Sequence, residues 1–162
     1  KDILHHSPDK HRDKEYLQSL VASFSSRNSN IEYYREKFLN YVFKYFIMSQ
    51  VSEFNEYRER MNEEILSADN LVLKRLFNLD TNTYQAGALD VATKELLGLV
   101  ASMVLRCDDC IKYHLLKCHA EGVTKEQLFE TFAVANIVGG TIVIPHLRRA
   151  VEFWNELASE NV

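Results

Sequence analysis

Glycine and proline are scarce in this 162-residue chain, with five and two copies, and runs of β-branched residues are few. That scarcity argues against a turn-rich sandwich or barrel, and the abundance of helix formers points to an all-α protein. Long apolar runs are missing as well. The most apolar stretch, Phe38 to Met48, is interrupted by Asn40 and Lys44 and falls well short of the roughly 20 residues of a membrane helix. An excess of positive charge is also lacking. The net charge is −4 and the basic residues are scattered, so no electrostatic footprint for nucleic acid appears. Cysteine is limited to three copies, an odd number that fits no secreted disulfide scaffold. No signal-peptide h-region or cleavage site is read at the start, and the expected compartment is the cytoplasm.

The apolar fraction, 46%, is enough for one domain to bury a core without disulfide or metal staples. Cysteines in such a chain need another explanation. Charge divides the chain near Met48, with eight basic and six acidic residues before it and eleven and seventeen from it onward. Residues 1–50 are read as an N-terminal extension with helical patterns at Lys14–Ser25 and Ile31–Met48, behind a polar start containing three histidines. Met48 fits either the join to a docking extension or the start of a shorter protein. Residues 51–162 form the expected main domain.

In that domain, Val51–Ser67 reads as a charged helix, Asn70–Asn78 as a shorter one and Asp80–Asp90 as a loop. Asp90 is the expected N-cap of a helix from Val91 to about Leu105, with Leu96, Leu97, Val100 and Val104 on its apolar face. A further helix runs from the cysteines to Glu121, ending at Gly122. Thr124 and Gln127 match a capping box that opens a helix to about Val138. Gly139-Gly140 is a break or a close-packing point before the last helix.

The sequence LRCDDCIKYH, Leu105 to His114, concentrates chemistry. Cys107, Cys110 and His114 fall at offsets 0, 3 and 7, along one helical stripe. An imidazole four residues from Cys110 can accept its proton, and a helix N-terminus favours the thiolate. Asp108 and Asp109 oppose it, since nearby negative charge raises a thiol pKa, and Lys112 is the positive charge placed to offset them. A zinc shared by Cys107, Cys110, His114 and Cys118 is excluded by length, because Cys107 and Cys118 would lie roughly 16 Å apart on a straight helix. A three-ligand site, or one completed by His119 or His146, is the remaining metal alternative, and no second CxxC motif supports it. Inert packing is the bland reading of the thiols, weakened by the two carboxylates between them.

Glu95 twelve residues before the CxxC, His114 four after its second cysteine, and the flanks ALDVATKELLGLVAS and HAEGVTKEQLFETFAVANIVGG together resemble the carboxymuconolactone decarboxylase-like superfamily, specifically its alkylhydroperoxidase D-like branch. The resemblance covers about Val51 to Leu157. It implies a helical bundle that assembles into trimers or hexamers, with Cys110 as peroxidatic thiol, Cys107 resolving it to a disulfide, and His114 with Glu95 as proton relay. It implies hydroperoxide as substrate, no bound cofactor, and an external dithiol donor, a lipoyl-bearing or thioredoxin-like protein. Characterised peroxidase members can carry a second histidine directly before the peroxidatic cysteine, where this chain has Asp109. His146 lies in a segment resembling the family's pocket-lining region, although a packing role is favoured for it. Cys118 is read as incidental and His119 as a surface residue. The alternatives are a lactone decarboxylase, which needs no cysteine pair, and a non-enzymatic protein whose disulfide switches assembly.

Overall fold

A computed structural model describes residues 49–159, and the helices and terminal histidines expected within 1–48 lie outside that range. Six α-helices follow one another: α1 (Gln50–Ser67), α2 (Leu71–Thr83), α3 (Val91–Leu105), α4 (Asp108–Ala120), α5 (Lys125–Gly139) and, after a 3₁₀ turn at Thr141–Val143, α6 (Ile144–Ser159). Among the described residues there is no strand. The expected all-α architecture holds.

Local chemistry explains most boundaries. The Asp90 carboxylate accepts from Thr93 N to open α3, and Thr124 and Gln127 form a reciprocal capping box at α5. Gly122, with φ +74°, follows the end of α4 in a conformation that suits glycine. Helix α2 runs further than the expected Asn78. Thr81 Oγ1, Asn82 Nδ2 and Thr83 Oγ1 donate back to the carbonyls of Phe77, Asn78 and Leu79, so a polar sequence read as loop completes the helix instead.

The core joins Leu99 and Met103 of α3, Ile111, Leu115 and Cys118 of α4, Leu128, Phe132 and Ala135 of α5, and Phe153, Trp154 and Leu157 of α6. Helix α3 packs on α4 and α5, α4 on α6, and α1 on α6. Phe54 of α1 meets Phe153 edge-on at 6.0 Å, and Glu156 accepts from the Gln50 backbone N–H. Helix α3 keeps most of its expected face, with Leu96 and Val100 packed against the core. Leu97 is 56% exposed, whereas Glu95, Gly98, Leu99, Ser102 and Met103 are buried. A carboxylate facing inward is costly unless partnered.

At the end of α5, a β-carbon on Gly139 would approach Val143 Cγ2 to 2.4 Å, and Gly140 has φ +76°. The glycine pair is therefore both a helix stop and a close approach.

Candidate active site

A sharp reversal between α3 and α4 positions the thiols. Arg106 adopts the left-handed conformation (φ 59°, ψ 40°) and ends α3, a conformation that costs an L-residue roughly 1–2 kcal/mol. Cys107 N then donates to Ser102 O at 3.0 Å. This places Cys107 as the N-cap of α4, its Sγ accepting from Cys110 N at 3.4 Å. The two cysteines form a disulfide with Cα atoms 5.3 Å apart, within the normal range for such a link. Cys107 is half-buried and Cys110 exposed, so Cys110 is the more accessible residue of the pair.

One turn further along α4, His114 is buried, and its Nδ1 lies 2.7 Å from Oε2 of Glu95. This is the partner that Glu95, 2% exposed, requires. With the carboxylate ionised and the imidazole neutral, Nδ1 donates to Oε2 and Nε2 carries the lone pair. His114 is thus held as an oriented base. The structure brings together Glu95 and His114 across two helices and joins Cys107 to Cys110 at the start of the helix that bears His114.

The two aspartates separate. Asp108 accepts from His146 at 2.7 Å and forms an ion pair with Arg149 at 3.0 Å, both from α6. Burial pushes its carboxyl up, but the hydrogen bonds from His146 and Arg149 more than offset this and hold it below the ordinary aspartate value. Its charge is therefore largely met by α6, and Asp109, exposed, is the one left to oppose a thiolate. Lys112 follows three positions later on α4. Its Nζ lies over the rings of Phe54 and Phe153, at 5.6 and 5.8 Å.

His146 is a partnered residue, paired to the first residue of α4. A depressed carboxyl contributes stability above its unfolded pKa, and that contribution is lost as pH falls through the folded value. Asp108→Asn is expected to lower stability by about 1 kcal/mol at pH 7, after discounting for an exposed carboxylate. Thermal melts of the two proteins should converge as pH falls below the folded value; an unchanged gap at low pH would contradict the assignment.

Cys118 is fully buried, and burial pushes its thiol up to about 12. It packs and does not react. His119 is half-buried, with its ring edge-on to Trp154 at 5.4 Å, rather than free at the surface. Among the described residues no three His, Cys, Asp or Glu side chains converge to hold a metal.

Two residues absent from the sequence reading border His114. A β-carbon on Gly98 would fall 2.5 Å from His114 Cε1 and 2.7 Å from the Tyr84 hydroxyl. The imidazole fits only because position 98 has no side chain. The Tyr84 and His114 rings are 5.4 Å apart, and Tyr113 approaches His114 edge-on at 5.5 Å. Burial, and behind it the Glu95 charge, hold the Tyr84 hydroxyl above the ordinary tyrosine value. No local motif announces either residue, because the contact joins positions far apart in the chain.

Comparison with known proteins supports the same region. Residues 70–153 match the carboxymuconolactone decarboxylase family. A Thermotoga maritima protein of that family, whose description raises a part in the antioxidative response, superposes with a TM-score of 0.65 at 56% identity, covering 67% of this chain and 92% of its own. The alkyl hydroperoxide reductase AhpD of Corynebacterium aurimucosum is 39% identical over 62 residues, 38% of this chain and 35% of that protein. A Paracoccus denitrificans protein of the cox locus is 32% identical over 71 residues, 44% of this chain and 64% of its own. The chain thus spans just under two thirds of one curated relative and about a third of the other.

Proposed function

Because this chain belongs to the carboxymuconolactone decarboxylase family, and because its CxxC opens the helix on which His114 meets Glu95, we propose that it is a thiol peroxidase of the alkylhydroperoxidase D type. The observation that carries the reading is the buried Glu95–His114 contact one turn from an accessible disulfide. Lactone decarboxylation would use the acid–base pair but leaves the thiols without a role.

In the reduced protein, Cys110 lies in the first turn of α4, where the helix N-terminus favours a thiolate. His114 Nε2 takes the Cys110 proton, and Glu95 stabilises the resulting imidazolium. The thiolate attacks one oxygen of the hydroperoxide. The O–O bond breaks, Cys110 becomes the sulfenic acid, and the departing alkoxide takes the proton from His114. The Cys107 thiolate then attacks the Cys110 sulfur and expels hydroxide, which is protonated to water, giving the disulfide. An external dithiol, lipoyl-bearing or thioredoxin-like, returns two electrons and two protons to restore the thiols.

Assembly into a trimer or hexamer is part of the reading. Leu97, Leu105, Val134, Ile137, Val138 and Ile142 are each at least half exposed, more apolar surface than one subunit benefits from leaving in water. No described helix is long and apolar enough to cross a membrane.

The test mixes the full chain with an organic hydroperoxide and a dithiol donor and follows peroxide loss. Cys110→Ser is expected to abolish turnover. Cys107→Ser should allow one oxidation of Cys110 and then stall as the sulfenic acid. Equal rates in the wild type and both variants would sink the peroxidase assignment.

A further inference from the structure

One turn of α3 serves three purposes at His114. Glu95 holds Nδ1, Gly98 leaves the ring room, and Lys94 reaches the end of α2 and the residues that follow it. The Lys94 ammonium donates to Thr83 O at 2.9 Å and to Gln85 O at 2.6 Å, the carbonyls on either side of Tyr84. The backbone of Tyr84 is thereby tied to the same turn that positions the histidine. Its hydroxyl and His114 Nε2 lie 2.7 and 2.8 Å from the position a Gly98 β-carbon would occupy. Two polar atoms from separate segments therefore converge over one bare Cα, near enough for a single bridging water to join them.

Nε2 is the nitrogen that Glu95 leaves with a lone pair, and the phenol is the donor beside it. We propose that Tyr84 is a positioning residue whose hydroxyl donates through one water to Nε2 of His114, so that the imidazole is held at both nitrogens until the Cys110 proton arrives. The tyrosine stays protonated at neutral pH, since burial and Glu95 keep its hydroxyl above the ordinary value. When Nε2 gains the proton from Cys110, the hydroxyl turns and offers its oxygen lone pair, through the same water, to the new N–H. Tyr84 keeps its own proton throughout. Its consequence for turnover rests on the peroxidase reading, whereas its contact with His114 does not.

The experiment labels histidine with ¹⁵N in the reduced full chain and compares the wild type with Tyr84→Phe and Lys94→Met. Tyr84→Phe keeps the ring and removes the donor, so the His114 Nε2 resonance should move downfield. Lys94→Met should move it the same way by releasing the segment, and serves alone if Tyr84→Phe does not fold. Single-turnover oxidation of Cys110 by a hydroperoxide should slow by about tenfold in Tyr84→Phe, as expected for one hydrogen bond. Adding Lys94→Met to it should slow the reaction little further. An unmoved Nε2 resonance in the folded variants overturns the proposal whatever the rates do. A moved resonance in a protein that consumes no hydroperoxide upholds the Tyr84 contact and removes the peroxidase reading instead.

Discussion

Replacing Gly98 with alanine is expected to abolish most activity while leaving the protein folded. The added methyl would lie 2.5 Å from His114 Cε1, 2.8 Å from Nε2 and 2.7 Å from the Tyr84 hydroxyl, all distances at which something must shift. The ring has little room to escape, because His114 is 6% exposed and tied to Glu95 at 2.7 Å. Yielding means either breaking that bond or turning Nε2 away from its present position. Loss of a positioned general base costs typically 10²–10⁴-fold in rate, and we expect Gly98→Ala to fall in that range for hydroperoxide reduction.

Stability should respond far less. Overpacking costs about 1–3 kcal/mol, but alanine in the middle of a helix regains about 1 kcal/mol over glycine. Steady-state kinetics beside a thermal melt separates the two effects. A variant with wild-type rate would show that the imidazole relaxes freely and that its orientation is not what matters.

Capping boxes, N-caps and the C′ glycine were readable because each is settled by residues within one turn of one another. Asp90, Thr124 with Gln127, and Gly122 all belong to this class. The end of α2 was not readable in the same way, since Thr81, Asn82 and Thr83 favour loops until their side chains bond back to the preceding turn. Helix α3 shows a different limit. Apolar periodicity puts Leu97 inward beside Leu96 and Val100, whereas the structure leaves Leu97 56% exposed and buries Glu95 against His114, a pairing that periodicity does not count.

The site divides along the same line. Cys107, Cys110 and His114 share a stripe that spacing alone reveals, and Glu95 was reached by its resemblance-bearing distance from them. The charge on Asp108 could not be judged from the sequence, because His146 and Arg149 come from 38 and 41 positions away. Tyr84 and Gly98 likewise meet His114 only in the folded chain. What opposes the thiolate is therefore narrower than two adjacent aspartates suggest, and what orients the base is broader than one glutamate.

Glu95→Gln carries the second large expectation, because it changes the hydrogen-bond grammar of the site at almost constant volume. An ionised glutamate only accepts, which puts the hydrogen of a neutral imidazole on Nδ1 and leaves Nε2 as the base. A glutamine amide can accept through oxygen or donate through nitrogen. When it donates to Nδ1, the hydrogen moves to Nε2, and the nitrogen facing Tyr84 no longer accepts a proton. The charge that stabilises the imidazolium is lost in either orientation. We expect the rate of Cys110 oxidation to fall by roughly 10³-fold, as for a base left in the wrong tautomer without its carboxylate.

The disulfide reaction itself should be affected less, since Cys107 attacks a sulfur already activated as the sulfenic acid. Stopped-flow measurement of the two steps distinguishes this outcome from general damage. Equal slowing of oxidation and disulfide closure would point to misfolding, and a full-rate first step would remove Glu95 from the relay. Glu95→Ala should be worse in stability as well as in rate, because it leaves His114 buried without the acceptor for its Nδ1 hydrogen, and such orphaned groups cost about 1–3 kcal/mol. The comparison isolates the charge of Glu95 from its role as a hydrogen-bond partner.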